Sequence, residues 1–202
     1  MIEKQYLPFL TSVLTPRRLE HSLGVMQTMS ELAGIYRLDV EKAQTIGILH
    51  DAGKDLPPET WQPLLQEGNI RIRHEAEQDY NLYLHGPVTA YFVQRELGIT
   101  DEQILGAIST HCYYGDDPYF DDPLSWCMRF SDVLEPTRDW SSEPFLLDCV
   151  KHLREIAFAG KMWESALWMA KSLPEWHKIK GFITHPSYGE IQRRMAARVN
   201  RG

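Results

Sequence analysis

The stretch GILHDAGKDLP, residues 47–57, decides the fold and the chemistry of this chain, because a histidine is followed directly by an aspartate at a predicted helix end. Helical spacing of apolar residues begins after Asp39 and reaches His50. Gly53 and the following prolines predict that the helix stops there. His50 and Asp51 therefore fall in the last helical turn, next to a gap that a substrate can enter.

On the N-terminal side, a second histidine lies on a predicted helix. Thr15 and Pro16 have the residue types of an N-cap and a first helical position. Apolar residues at helical spacing then continue as far as Gly34. His21 lies on the stripe that adjoins this apolar face, so we expect it at the border of the core.

Two further histidines follow on the C-terminal side. Residues 86–98 are predicted to form a helix that Gly-Pro opens and glycine ends, and His85 stands just ahead of it. The string TDEQ, residues 100–103, predicts a capping box for the next helix. The last turn of that helix contains His111.

A fifth position, Asp132, lies at the edge of the buried stripe of a helix predicted over residues 124–134. A carboxylate there is costly unless it is paired or metal-bound.

Two or three more helices are predicted after Pro144, broken at Pro174 and Gly181 and rich in tryptophan. Residues 112–123, CYYGDDPYFDDP, are predicted to be the one long irregular loop. We predict an all-α bundle.

Composition narrows the class of protein. A chain of 202 residues that is 43% hydrophobic can bury one substantial core, so we expect a single domain. The net charge of −7 argues against nucleic acid as a partner. An acidic protein that handles phosphate needs metal cations, or a few local arginines and lysines, at its site.

The cysteines and the N-terminus indicate a compartment. Cys112, Cys127 and Cys149 are odd in number and lack C-x-x-C spacing, which favours a reducing environment. The N-terminus lacks a signal-peptide pattern, and no apolar run approaches the length of a membrane span. We expect a soluble cytoplasmic protein without a membrane partner.

Together these histidines and aspartates suit first-row metals such as iron, manganese or zinc. Two ions about 3.5–4 Å apart can hold a phosphate and activate a water. The plainer alternative is that each histidine is a half-buried or capping residue and that Asp51 pairs with Lys54. We interpret the four other histidines as structural or solvated: His74, His152, His177 and His185.

Five strings, in this order, resemble the HD-domain family of metal-dependent phosphohydrolases. The resemblance is closest to its YqeK-like branch, bacterial enzymes that split diadenosine tetraphosphate symmetrically into two ADP. It covers residues 15–140, which implies an HD-type metal-binding core followed by a C-terminal helical extension over residues 141–202 of the single domain 1–202. The strings are RRLEHSLGVM (17–26), GILHDAGKDLP (47–57), YLHGPVTAYFVQRELGI (83–99), AISTHCYYG (107–115) and FSDVLEPTR (130–138).

The resemblance implies two divalent metal ions, iron foremost, with manganese, cobalt or others as alternatives. One ion would be held by His21, His50, Asp51 and Asp132. His85 and His111 would complete a second site, with Asp51 bridging. The implied reaction is hydrolysis of diadenosine tetraphosphate, or a related dinucleoside polyphosphate, by a metal-bound hydroxide.

Three cations match family positions near the phosphates of the nucleotide substrate. They are Arg18, Lys54 and Arg138, and the resemblance implies that Asp51 and Lys54 act in catalysis. These side chains are also the local cations that an acidic protein needs around a polyphosphate. The alternative for each is a solvated surface charge.

The chain departs from the family pattern near the substrate rim. Cys112 and two tyrosines replace a threonine-rich turn, and Trp126 replaces a lysine. The tryptophan-rich C-terminal region has no match in the family pattern. The metal ligands are complete, so the departures bear on the identity of the nucleotide more than on the reaction class.

The 112–123 loop carries two further expectations. Its aromatic residues are candidates for stacking on a base: Tyr113, Tyr114, Tyr119 and Phe120. Its four aspartates are expected to be solvated, with a gate that repels substrate or attracts cations as the alternative: Asp116, Asp117, Asp121 and Asp122.

Two rival functions remain open from sequence. A non-catalytic nucleotide or metal sensor would use the altered rim for binding, and a di-iron oxygenase would use the same helical scaffold. Product analysis separates the first from hydrolysis, and oxygen uptake separates the second. The tryptophans of residues 163–176 are candidates for a homodimer surface.

Overall fold

The computed structural model of the chain describes residues 2–112 and 117–201, and helices dominate both ranges. This confirms the all-α prediction, since no strand occurs in those ranges. Ten α-helices follow one another there: α1 (Ile2–Val13), α2 (Pro16–Tyr36), α3 (Val40–Leu49), α4 (Pro58–Glu67), α5 (His85–Leu97), α6 (Glu102–Thr110), α7 (Pro123–Leu134), α8 (Pro144–Phe158), α9 (Met162–Lys180) and α10 (Tyr188–Val199).

The starts of α2 and α3 follow the predicted caps. The Thr15 side chain accepts a hydrogen bond from the backbone N–H of Arg18, and the Asp39 side chain accepts one from the N–H of Lys42. Each cap satisfies a backbone donor that the first helical turn leaves without an intrahelical partner. These two caps fix where the helices that carry His21 and His50 begin.

Gly47 allows α3 to lie directly against α2. A Cβ atom at this position would lie 2.8 Å from the Cα atom of Met26, closer than real side chains approach backbone. The missing side chain thus permits backbone contact between the two helices. As a result the rings of His21 and His50 lie 5.3 Å apart.

Helix α7 runs through the centre of the core. Every residue from Leu124 to Ser131 is buried, as expected for a helix with neighbours on all sides. Trp126 is fully buried between Phe120 and Phe130. The helix therefore delivers Asp132, near its C-terminal end, to the place where α2 and α3 meet.

Several predicted boundaries were wrong. The predicted stop of α3 before the prolines is confirmed, but a helix that was not predicted, α4, begins at Pro58, because proline is also favoured at the first helical position. Helix α1 was not predicted at all. His85 is the first residue of α5 rather than a residue ahead of it, and a π-helical turn, Tyr80–Leu84, leads into it.

The predicted capping box and the predicted break were also wrong. The cap of α6 is Asp101, whose carboxylate accepts from the N–H groups of Gln103 and Ile104. Pro174 lies inside α9 and does not break it. Only Gly181, in the left-handed conformation at the C-cap, ends that helix as predicted.

Helix α7 begins at Pro123, the last residue of the predicted loop 112–123, so the loop prediction was one residue too long. Residues 113–116 lie outside the described ranges, so the expectations for Tyr113, Tyr114 and Asp116 fall there. The loop ends at Asp122, which caps α7. Residues 68–79 form a second irregular segment that contains one 3-10 turn, Glu75–Gln78.

The described side chains of this loop point to structure rather than to base stacking. Phe120 is buried beneath the guanidinium of Arg129, at 3.9 Å from the ring centre. The hydroxyl of Tyr119 donates to Glu102. Three of the four aspartates are engaged rather than simply solvated: Asp117 accepts from the N–H of Tyr119, Asp121 pairs with Arg194, and Asp122 accepts from the N–H of Leu124.

Candidate metal centre

Four histidines from four different helix ends or faces converge in the interior. Nε2 of His85 and Nε2 of His111 are 2.9 Å apart. The ring centre of His50 lies 5.2 Å from that of His111 and 5.3 Å from that of His21, so His50 lies between His21 and His111. None of the four is more than 7% exposed. The structure thus brings together all the histidines that the sequence had singled out.

Hydrogen bonds at Nδ1 indicate the tautomer of two of these rings. Nδ1 of His50 and Nδ1 of His111 each lie within 2.8 Å of the carbonyl three residues earlier. A carbonyl only accepts, so Nδ1 carries the proton in both rings. The Nε2 atoms of His50 and His111 therefore face the centre with a lone pair when the rings are neutral, as in metal-bound histidines. Nδ1 of His85 lies 3.0 Å from the carbonyl of Tyr80.

The partner of Nδ1 in His21 is a carboxylate and not a backbone carbonyl. Its Nδ1 lies 3.0 Å from Oε1 of Glu135, and its Nε2 lies 3.1 Å from Oδ1 of Asp132. Burial alone would lower the pKa of His21, but hydrogen bonds with these two carboxylates raise it to about 9. Glu135 was not among the residues predicted from sequence, although it stands within the EPTR string.

The two carboxylate oxygens of Asp51 face two different pairs of histidines, His85 with His111 and His50 with His21. Oδ1 is 3.3 Å from Nε2 of His85 and 3.8 Å from Nε2 of His111. Oδ2 is 3.6 Å from Nε2 of His50 and 3.9 Å from Nε2 of His21. One carboxylate thus faces two separate groups of donors.

The donor set fits divalent metal ions. Nε2 of His50 is fully buried and lacks a hydrogen-bond partner among the described residues, although an orphaned buried polar atom is costly. Burial lowers the pKa of His50 to about 3, so the ring is neutral and offers a lone pair. The groups that can hold an ion include two that share His50: His21 with His50 and Asp132, and His50 with Asp51 and His111.

The three predicted cations surround this centre. Nη1 of Arg18 lies 2.9 Å from Oδ2 of Asp51, and Nη2 of Arg138 lies 2.5 Å from Oδ1 of Asp132. The ion pair of Asp51 is therefore with Arg18, and not with Lys54 as the plainer alternative proposed. Burial alone would raise the pKa of Asp132, but the charge of Arg138 holds it well below its usual value.

Lys54 contacts Asn81 and His85, and not Asp51 as the plainer alternative proposed. Its ammonium donates to the carbonyl of Asn81 at 2.6 Å and lies 3.0 Å from both ring nitrogens of His85. The lysine thus links the turn after α3 to the π-helical turn before α5. It also places a positive charge at the wall of the cavity beside the metal donors.

A cavity of about 440 Å³ opens from the donors toward the C-terminal helices. Its inner end is lined by the carboxylates of Asp51 and Asp132 and by the three cations. Its outer part is apolar and aromatic, formed by α8, α9 and the segment before α8. Sequence reasoning missed this role of the tryptophan-rich region, because no motif connects it to the centre. The outer lining includes Trp140, Leu146, Leu153, Trp168, Leu173 and Trp176.

The other histidines have structural roles, in agreement with their interpretation from sequence. His185 is buried against Glu77, at 2.9 Å, and also contacts the hydroxyl of Ser187. His177 is buried near Tyr83, and burial lowers its pKa. These contacts fasten the C-terminal extension to the rest of the chain. His74 caps the 3-10 turn, and His152 packs on Trp168.

Residues 18–137 match the HD domain, which is more than half of the chain. The chain belongs to the HD-domain family. HD domains bind divalent metals, and this chain has the histidine and aspartate groups that can hold them. The matched range begins at Arg18 and includes every residue predicted as a metal ligand.

Three curated relatives are each 37% identical to this chain over the aligned region, and each is named symmetrical bis(5'-nucleosyl)-tetraphosphatase. The relative from Halalkalibacterium halodurans aligns over 131 residues, 63% of this chain and 65% of that protein. The relative from Bacillus subtilis aligns over 55% of this chain and 59% of that protein, and the relative from Staphylococcus aureus over 48% and 50%. The chain thus spans between half and two thirds of their lengths.

A solved structure covers nearly the whole fold. It is described as a predicted HD superfamily hydrolase involved in NAD metabolism, from Clostridium acetobutylicum. The TM-score is 0.80 at 27% identity, over 96% of this chain and 97% of that one. The similarity therefore extends beyond the HD core into the C-terminal helices.

Hydropathy adds one negative finding. In residues 2–112 and 117–201, every helix is too short or too polar to cross a membrane.

Proposed function

We propose that this protein is a metal-dependent phosphohydrolase that splits diadenosine tetraphosphate, or a related dinucleoside polyphosphate, into two nucleoside diphosphates. The observation that carries the proposal is the position of Asp51, whose two oxygens face two separate histidine pairs. The names of the curated relatives support the same activity.

We propose two divalent ions. His21, His50, Asp51 and Asp132 would hold one, and His85, His111 and Asp51 would hold the other. Imidazole and carboxylate ligands suit iron, which is our first candidate, and also manganese or cobalt. When bound, such a pair of ions supplies Lewis acidity at the phosphoryl oxygens and an activated water.

The side chains of the cavity supply the charge that a polyphosphate requires. Arg18 and Arg138 are held by Asp51 and Asp132, so their guanidinium groups are positioned before substrate arrives. The planar guanidinium is well suited to phosphate oxygens. Lys54 adds a point charge on the side of His85, where it can stabilise charge on the departing nucleoside diphosphate.

The outer part of the cavity suits the nucleoside end of the substrate. Ligand sites of this kind combine an apolar lining with a few placed polar groups, and about 300–1,000 Å³ is their usual volume. Here the polar groups lie at the inner end and the aromatic lining at the outer end. A polyphosphate that reaches the metal ions would therefore leave its nucleoside among the C-terminal helices.

The cations bear on the class of ligand. Arg18, Lys54 and Arg138 line the cavity beside the metal donors and favour a polyanionic ligand over an uncharged one. A sensor that binds the same nucleotide would share this binding chemistry. Turnover separates it from an enzyme.

The test is analysis of the products. Protein loaded with iron(II) or manganese(II) would be incubated with diadenosine tetraphosphate, and the nucleotides would be separated by anion-exchange chromatography. We expect ADP as the sole product, and none from metal-free protein. ATP with AMP would contradict the symmetrical reaction, and no turnover by metal-loaded protein would contradict the enzymatic function.

A further inference from the structure

Cys112 lies at the centre but belongs to none of the ligand groups discussed above. It directly follows His111, and its thiol is buried. Its sulfur lies 3.3 Å from Nε2 of His85 and 3.5 Å from Nε2 of His111. These are the two nitrogens that lie 2.9 Å from each other.

These separations fit a shared cation. A metal ion about 2.0–2.1 Å from imidazole nitrogen and about 2.3 Å from thiolate sulfur holds neighbouring ligand atoms about 3.0–3.6 Å apart. The nitrogen–sulfur separations fall within this range, and the nitrogen–nitrogen separation is just below it. Oδ1 of Asp51 faces the same two nitrogens, at 3.3 Å from Nε2 of His85 and 3.8 Å from Nε2 of His111. The three side chains His85, His111 and Cys112 by themselves form a group that can hold an ion.

Gly86 makes room for the sulfur at this position. A Cβ atom at residue 86 would lie 2.8 Å from the sulfur of Cys112 and 2.6 Å from the carbonyl of Ser109. A side chain there would push the end of α6 away from the start of α5. Glycine thus lets the thiol reach the same point as the two histidines.

The thiol also lacks another role in the described part of the chain. The hydrogen-bonding contacts of its sulfur there are with the ring nitrogens of His85 and His111. Cys127, by comparison, is buried in the apolar core and points to the carbonyl of Met29, while Cys149 lies on the outer wall of the cavity. Of the three cysteines, Cys112 is the one placed among metal-binding atoms.

We propose that Cys112 is a sulfur ligand of the metal ion that His85, His111 and Asp51 hold. The inference rests on the metal centre of the proposed function. Binding would form a metal–sulfur bond and release the thiol proton to solvent. The two sites would then differ, since one has nitrogen and oxygen donors and the other has sulfur as well.

This difference predicts a difference in metal preference. Thiolate ligands favour zinc, iron and cobalt over manganese and magnesium, which prefer oxygen donors. The site with Cys112 should therefore retain zinc or cobalt when manganese is offered in excess. The site of His21 and Asp132 should exchange more readily.

Cobalt(II) provides a readout that is independent of activity. Metal-free protein would be titrated with cobalt(II) while the near-ultraviolet sulfur-to-cobalt charge-transfer band and the bound cobalt are measured. The variants are Cys112→Ser and, as a matched control, Cys149→Ser. We expect the band in the wild type and in Cys149→Ser, its loss in Cys112→Ser, and cobalt affinity at that site reduced by about tenfold or more, a loss typical of altered metal sites.

A second measurement does not depend on the folding of a variant. X-ray absorption at the cobalt edge of the wild-type protein should show a sulfur neighbour at about 2.3 Å, with one sulfur for every two cobalt ions, that is about half a sulfur per ion on average. Two bound cobalt ions without a sulfur neighbour, or a band that persists in Cys112→Ser, would overturn the inference and leave the metal centre intact. Failure of the wild type to bind cobalt, iron or manganese would overturn the metal centre as well.

Discussion

Glu135 holds His21 through a buried hydrogen bond, with 3.0 Å between Oε1 of the carboxylate and Nδ1 of the ring. The carboxylate is itself fixed by the N–H and the hydroxyl of Thr137. This contact orients Nε2 of His21 toward Asp132 and increases the basicity of the ring. Among the four histidines of the metal centre, all of which lie in the described part of the chain, only His21 has a carboxylate as the partner of its Nδ1.

The first prediction concerns this contact. Glu135→Gln keeps the size of the side chain and an oxygen that can accept from Nδ1, but it removes the negative charge. We expect metal affinity to fall by about 10- to 100-fold, as for other partners of metal-bound histidines. Competition with a chelator measures it. Glu143→Gln, which changes an acidic partner of Lys180 at the surface, should leave the affinity unchanged.

The second prediction concerns Lys54. Lys54→Met removes the ammonium beside His85 while it keeps most of the aliphatic chain. We expect turnover of diadenosine tetraphosphate to fall by about 100-fold, the scale of losing one charge-stabilising donor, with metal content unchanged. Lys42→Met provides the control, because Lys42 pairs with Asp101 outside the cavity. Loss of metal from Lys54→Met would mean that the lysine organises the ligands and does not act on the substrate.

The third prediction concerns the contact of α2 with α3. Gly47→Ala places a Cβ atom 2.8 Å from the backbone of Met26, so the two helices must separate. We expect the free energy of unfolding to fall by about 1–3 kcal/mol, as for other overpacked sites. Gly34→Ala is the matched control. No atom lies within 4 Å of a Cβ at that position, so alanine should stabilise α2 by up to about 1 kcal/mol.

The fourth prediction concerns acid sensitivity. Burial lowers the pKa of His177 below its ordinary value of 6.5, so the ring is neutral in the folded protein. The unfolded chain binds the extra proton at pH values below about 6.5, and the folded chain does so only at lower pH. The contribution of His177 to the free energy of unfolding is therefore fully present above pH 6.5 and declines as the pH falls below it.

The readout is the pH dependence of the melting temperature, measured in chelator between about pH 7.5 and 5.5, a window that spans the unfolded histidine pKa. His177→Gln should flatten the decline on the acid side, whatever its effect on absolute stability. His152→Gln, at an exposed histidine, should follow the wild type. Equal slopes in all three proteins would contradict the role of His177.

The ligand-bearing helix ends could be predicted from sequence because local chemistry fixes them. Thr15 and Asp39 each cap a helix in the way their residue types indicate, and His50 and His111 each stand at a helix C-terminus. Periodicity then assigns each residue to a face. The assembly of those ends into one centre was an expectation from the order of the motifs.

What could not be predicted depends on contacts between distant segments. Pro58 is compatible with a helix stop and with a helix start, and tertiary packing selects the start. Asp101 displaced Thr100 as the cap of α6, a choice of one residue that the capping-box pattern does not resolve. The apolar wall that α8 and α9 contribute to the cavity carries no local signal, because its residues resemble ordinary core residues in sequence.

The most direct test of the central claim is the metal content of Asp51→Ala. Wild-type and variant protein would be loaded with iron(II) or manganese(II) under anaerobic conditions, desalted and analysed by mass spectrometry for metal per chain. Because the two oxygens of Asp51 face the two histidine pairs, the account predicts two ions per chain in the wild type and at most one in the variant, which should still fold. Two ions retained by a folded Asp51→Ala protein would contradict it.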